Sequence, residues 1–206
     1  MPISFKPTQI RSLLKLSERI DKFTNLVGDS LSWLTTLVIA VGFYNVIARY
    51  IGRLIGIQLS SNALIELQWY LFSLIFLLGF PYILKHAANV RVDFVYAHLS
   101  EKQQALIDFC GTVFFLIPFC IMGIWVSTNP VLQSWGYLPD GTWGAWEISS
   151  DANGLPRAPI KTMIIVGFFL LLTQAVSQAI KYLAIFKGYT QVSQAIHQDE
   201  EHLPIE

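Results

Sequence analysis

The sequence predicts an all-α membrane protein with four transmembrane helices and both termini in the cytoplasm. Three observations lead there. Charged residues are only 14% of the 206 and hydrophobic ones 53%, whereas a soluble domain carries about 25% charged residues to cover its water-facing surface. Mean hydropathy is +0.49, and the charges cluster between four apolar runs, each close to the ~20 residues a helix needs to cross a bilayer. The basic residues, finally, are unevenly shared between the flanks of those runs. Fourteen basic and 14 acidic residues balance to zero net charge, so no overall field points to nucleic acid as a partner.

The first element is a cytoplasmic N-terminal segment, residues 1–30. Between residues 9 and 27, Ile10, Leu13, Leu14, Ile20, Phe23 and Val27 fall near one helical stripe, and Arg11, Lys15, Arg19 and Lys22 fall elsewhere around it. That pattern predicts an amphipathic helix on the membrane surface, held by anionic lipids of the inner leaflet. A polar cytoplasmic helix packed on the loop ends is the alternative. The transmembrane domain follows, residues 31–186, with spans at about 31–48, 63–84, 105–127 and 160–183. The first span begins after a long charged segment and no small-x-small site follows it cleanly, so it does not read as a cleavable signal peptide. Residues 187–206 form a polar, acidic cytoplasmic tail without a periodic apolar face, expected to fray.

Orientation comes from the positive-inside rule. Lys6, Arg11, Lys15, Arg19 and Lys22 precede the first span; Lys85, Arg91 and Lys102 lie in the second loop; Lys181 and Lys187 close the fourth span. The other side holds Arg49, Arg53, Arg157 and Lys161. The richer side is read as the cytoplasm of a bacterial inner membrane. An even number of spans places both termini on one side, in agreement with the charges.

A carboxylate one turn into the second span, Glu66, needs a partner, because an ionised group in lipid is costly. Arg49 and Arg53, near the end of the first span, are the expected partners in an interfacial ion pair that locks the first two spans or a neighbouring subunit. A proton or ion pathway is the sharper reading, but it needs polar groups across the whole membrane, and the span centres read as Leu, Ile, Phe, Val and Gly. Asp108 is likewise near a membrane edge, with Lys102 and Arg91 available. His86, His98, His197 and His202 lie in loops or the tail, where they cannot face one another across a haem. Cys110 and Cys120 stand ten residues apart on one run, roughly 15 Å along a helix, too far to bridge. No catalytic residues, cofactor-binding residues or metal ligands are predicted.

The third loop, residues 128–159, is the longest and carries Trp135, Tyr137, Trp143 and Trp146. These aromatics suit either the headgroup level of a bilayer or a protein-contact surface. The loop closes on Gly154-Leu155-Pro156-Arg157-Ala158-Pro159, where two prolines fix the backbone ahead of the fourth span and Arg157 and Lys161 can meet the headgroups.

Three stretches resemble a known family. They are Glu66-Leu67-Gln68-Trp69-Tyr70-Leu71-Phe72 continuing to Leu78-Gly79; Asn89-Val90-Arg91-Val92-Asp93; and Trp146-Glu147-Ile148-Ser149 with Gly154-Leu155-Pro156-Arg157-Ala158-Pro159-Ile160-Lys161, Gly167-Phe168 and Gln174. Over roughly residues 30–186 the chain is similar to the small, DctQ-like membrane subunit of tripartite ATP-independent periplasmic (TRAP) transporters. It departs from many relatives at Asn89, where they carry histidine. The resemblance implies a small subunit of a sodium-driven transporter for organic acids such as carboxylates. Such a subunit scaffolds a large, M-type transmembrane subunit and helps a periplasmic substrate-binding protein to dock, with no substrate site and no cofactor of its own. Membrane lipids are the remaining partners. On this reading the structural and interface candidates are Glu66, Arg49, Arg53, Trp69, Arg91, Asp93, Trp135, Trp143, Trp146, Arg157 and Lys161. The competing functions are a stand-alone four-helix channel or carrier, which needs polar seams through the bundle, and a quinone- or haem-linked redox protein, which needs paired cysteines or facing histidines.

Overall fold

The computed structural model describes residues 7–86, 96 and 98–189. Helix α1 spans Pro7–Ile55 and α2 spans Asn62–Lys85; α3, Glu101–Gly111, runs through a single wider π-helical turn, Thr112–Leu116, into α4, Ile117–Ser134; α5 spans Ala158–Phe186. No strand occurs among the described residues; the only extended pairings there are the bridges of Tyr137 with Trp143 and of Ile148 with Pro156. Four segments are long and apolar enough to cross a membrane: Ile10–Ile55, Asn62–Lys85, Glu101–Ser134 and Ala158–Phe186. They contain the four spans predicted above.

The helix boundaries differ from expectation in two places. Residues 9–27 do not form a separate helix: they belong to α1, a helix of 49 residues. No proline occurs between Thr8 and Phe80, and Gly28 alone, at about 1 kcal/mol relative to alanine, does not stop a helix. The helix ends where the Ile57 N–H donates back to the Gly52 carbonyl at 2.9 Å, the six-residue closure of a Schellman turn. At the third loop, α4 continues to Ser134, so residues 128–134, expected in the loop, are helical.

Local start signals are legible at the ends of the first and second connections. The Ser61 hydroxyl accepts the Ala63 N–H at 3.2 Å ahead of α2, and Gln103 Oε1 accepts both the N–H and the hydroxyl of Ser100 at 3.0 and 2.8 Å ahead of α3. These bonds occupy donors that a helix start leaves without intrahelical partners.

The chain clusters into two compact units. The first draws its described residues from Met1–Val27, Phe80–Met122 and Phe169–Glu206, the second from Gly28–Gly79 and Gly123–Phe168. In the first, a buried polar seam joins α1 to α5. Asp21 Oδ1 accepts from Gln174 Nε2 at 3.0 Å and from the Ser177 hydroxyl at 2.8 Å, and its Oδ2 meets the Lys181 ammonium at 2.6 Å. The Thr24 hydroxyl donates to Gln174 Oε1 at 2.7 Å, and the Ser17 and Ser177 hydroxyls lie 2.7 Å apart. With the Ser177 proton committed to Asp21, Ser17 donates to Ser177. Gln178 Nε2 donates to the carbonyls of Leu84 and Lys85, both at 3.1 Å, which answers two of the orphan acceptors at the end of α2. Gln174, Ser177 and Gln178 are fully buried. The reading of unbroken apolar span centres is therefore amended in the fourth span, where this polar stripe lies inside the predicted limits.

Asp108 has a neutral partner among the described residues. Its Oδ2 accepts the Tyr96 hydroxyl at 2.5 Å. Arg91 and Asp93 lie outside the described residues, as do Asn89 and most of the predicted tail. Cys110 and Cys120 are both unpaired.

Candidate functional site

The second unit builds its site around the N-terminal turns of α2. Asn62, Glu66 and Tyr70 recur every fourth residue, so they stand one above another on one helix face. All three bind the segment that leads into α5. Asn62 Nδ2 donates to the Ala152 carbonyl at 3.2 Å. Glu66 Oε1 accepts the Ser149 hydroxyl and Oε2 accepts the Leu155 N–H. The Tyr70 hydroxyl donates to the Pro156 carbonyl at 3.1 Å. Glu66 is only 3% exposed, so both carboxylate oxygens are answered by protein donors, as a buried charge requires. Backbone closes tightly over it: a Cβ on Gly154 would collide with the Ser149 side chain and come within 3.0 Å of Glu66 Oε2. Only glycine lets the loop sit this close.

The clasped segment is a short hairpin in its own right. Ser149 N–H donates to the Leu155 carbonyl at 3.3 Å and Arg157 N–H to the Glu147 carbonyl at 2.9 Å. The turn between them passes through Asn153 at φ 59°, a left-handed position that asparagine tolerates. Glu147 forms an ion pair with Lys161, and Arg157 Nη2 reaches the Ser149 hydroxyl at 3.5 Å. The hydrogen bond from the Lys161 ammonium holds the Glu147 carboxyl below its usual value of 4.5.

A second turn projects from the same base. Leu138 N–H donates to the Thr142 carbonyl and Gly144 N–H to the Gly136 carbonyl, at 2.9 and 2.7 Å. Asp140 Oδ1 accepts the Thr142 hydroxyl at 2.7 Å and its N–H at 3.0 Å, which holds the Asp140 carboxyl below the ordinary range. At the base, Trp135 Nε1 donates to Thr162 Oγ1 at 2.8 Å, and Trp135 meets Trp146 edge-on with ring centroids 4.6 Å apart. Tyr137 meets Trp143 in the same manner at 5.2 Å. Trp143 and Trp146 remain 65% and 53% exposed, beside exposed Leu138 and Ile148. The result is a rigid loop with an aromatic outer surface, a form suited to binding a partner.

Of the predicted candidates, Glu66, Trp135, Trp143, Trp146, Arg157 and Lys161 all belong to this loop and its anchor. Trp69 lies on the exposed face of α2, and Arg49 and Arg53 on exposed positions of α1. The hydrogen-bond partners of Glu66 are thus a hydroxyl and a backbone N–H from the third loop, in place of the two arginines expected. Ser149, Glu147, Tyr70 and Asn62 had been given no role in advance. The four-residue spacing of Asn62, Glu66 and Tyr70 is the signal that could have found the two on α2; none marks Ser149 or Glu147. Among the described residues, no group of three or more His, Cys, Asp or Glu side chains is placed to hold a metal ion.

The loop clasp has a pH dependence of definite sign. The folded-state pKa of Glu147 is depressed, so its ion pair contributes fully above the unfolded value near 4.5 and is lost as pH falls through the lower folded value. Fluorescence of the Trp135–Trp146 pair is expected to stay constant from neutral pH down to about 4.5 and to change only below it. A transition centred near pH 6 would show that another group controls the loop.

No curated protein and no solved structure matches the chain. A family model described as "Tripartite ATP-independent periplasmic transporters, DctQ component" matches residues 37–184, which takes in the second to fourth spans, most of the first, the Glu66 clasp and the aromatic loop. The chain is a multi-pass membrane protein that belongs to the DctQ component family of the TRAP transporters.

Proposed function

We propose that the chain is the small subunit of a sodium-driven TRAP transporter for organic acids, carboxylates above all. In this role it scaffolds the large transmembrane subunit and presents the aromatic loop to the periplasmic substrate-binding protein. The termini face the cytoplasm, and the loop faces the periplasm of a bacterial inner membrane. The basic residues on the flanks support this orientation. The observation that carries the reading is the clasped loop: a surface with exposed Trp143 and Trp146, held by hydrogen bonds to α2, next to spans that leave most of their apolar surface uncovered. Only 11–33% of the most apolar window of each span is buried within the chain. Those faces suit a large membrane partner and lipid. The buried polar groups of α1 and α5 bond one another, which supports a scaffold more than a carrier with its own route.

The test uses the whole transporter. The tagged chain is expected to retain the large subunit through purification. Replacing both Trp143 and Trp146 with alanine should leave that co-purification intact and lower uptake about tenfold at limiting binding protein, the size of effect given by loss of an aromatic hot spot. Saturating binding protein should restore uptake. Full uptake by the double variant at limiting binding protein would remove the docking role, and failure to co-purify would remove the scaffold role.

A further inference from the structure

Within the second unit, α2 and α5 border an open groove of 450 Å3. Phe72, Phe76 and Leu77 line it from α2, and Ile160 and Ile164 from α5; Arg157 and Lys161 stand where α5 begins. Nearly all of the lining is carbon. Phe72 and Phe76 are 63% and 59% exposed, on a helix that crosses the membrane. We propose that this groove is a binding site for one glycerophospholipid, with an acyl chain in the apolar trough and the phosphodiester on Arg157 and Lys161.

Three features point to a phosphate at that end. A guanidinium carries five N–H donors, and the terminal Nη2 of Arg157 makes only the long 3.5 Å bond to Ser149. The Lys161 ammonium has three donors, of which Glu147 takes one. Arg157 directly precedes, and Lys161 follows the first three residues of, a 29-residue helix, whose dipole favours an anion at that end. The acidic neighbours do not close the site. Glu66 is occupied by Ser149 and Leu155, and Glu147 by Lys161. They do cancel the formal charge of the two cations, so recognition rests on directed hydrogen bonds to the phosphate more than on net charge. From Arg157 to Ile164 the groove follows α5 for about 10 Å, which sets the phosphate at the head of the trough and the chain below it. A transmembrane helix of another protein is a poorer match, since it would have to bring its own acid to the same two donors.

The purified full-length chain, stripped of lipid in detergent, is titrated with phosphatidylglycerol or with diacylglycerol of the same acyl chains and examined by native mass spectrometry. One phosphatidylglycerol is expected to stay bound at collision energies that remove all others, with diacylglycerol held about tenfold more weakly, a difference of one charge-assisted contact. Ser73→Phe fills the trough and leaves every loop hydrogen bond in place; it should abolish the tightly held lipid. Equal retention of the two lipids by the unaltered chain would overturn the proposal, whatever the variant does, and so would tight retention by a folded Ser73→Phe chain. In the intact transporter, a photocrosslinker at position 76 should capture phospholipid. Capture of the large subunit in its place would show that a helix occupies the groove and would also overturn the proposal.

Discussion

Glu66→Ala is expected to release the aromatic loop and with it the proposed docking role, while the four helices still insert. The side chain is the only part of α2 that holds the Ser149–Leu155 hairpin at two points, through Ser149 and the Leu155 N–H. Its loss leaves a hydroxyl and a backbone N–H facing a space that a carboxylate had filled. The remaining ties from α2, Asn62 to Ala152 and Tyr70 to Pro156, are ordinary neutral hydrogen bonds, roughly half as strong as charge-assisted ones. Protease cleavage between Ser149 and Gly154 should therefore speed up about tenfold in the variant, as expected when a local opening becomes cheaper without global unfolding. Uptake at limiting binding protein should fall with it. Glu66→Gln separates structure from ion chemistry. Its amide oxygen can still accept one of the two donors, so an intermediate cleavage rate is expected, with the sodium dependence of residual uptake unchanged. If Glu66→Gln kept the loop fully protected and yet abolished sodium coupling, the carboxylate would belong to an ion pathway and its anchoring role would be secondary.

The residues that sequence reading placed well are those whose physics is local or averaged over many positions. Four spans are legible because each sums the hydropathy of some twenty side chains. The importance of Glu66 is legible because a carboxylate inside a span always needs an explanation. Its partner was not, because the nearest cations along the chain were the natural candidates, whereas the carboxylate is answered by neutral donors 83 and 89 residues away. The aromatic loop was recognised by composition, but its anchoring depends on turn geometry at Asn153 and Gly154, which composition does not reveal. The expected break between an N-terminal helix and the first span is missing for a different reason. A change from an amphipathic to an apolar pattern does not end a helix that has no proline after Pro7 and only one glycine before residue 42. The cations of that segment are indeed on exposed positions of α1, and the face opposite carries a polar seam that the apolar stripe had concealed.

That seam carries the second large effect. Between helices in lipid there is little hydrophobic drive for association, so packing and interhelical hydrogen bonds determine which faces meet. Ser17, Asp21 and Thr24 on α1 and Gln174, Ser177 and Lys181 on α5 repeat at helical spacing and meet through five side-chain pairings of 2.6–3.0 Å. Asp21 is the hub, because it alone accepts from three side chains of α5. Asp21→Ala is therefore expected to destabilise the chain by about 3 kcal/mol, the lower end of the range for removing one partner of a buried ion pair. The loss arises chiefly from the Lys181 charge, 9% exposed, which is left without its counter-ion. Lys181→Met should cost less, since Asp21 keeps Gln174 and Ser177. Combining Asp21→Ala with Lys181→Met should recover much of the loss, because the stranded charge is gone. Reversible unfolding in mixed micelles measures all three, and the double-mutant cycle isolates the pair from the rest of the seam. Additive losses would mean that the two charges act separately. A coupling of the expected sign would make the Asp21–Lys181 pair the point at which α1 and α5 are held in register, with its effect visible in stability while the aromatic loop of the second unit keeps its protease protection.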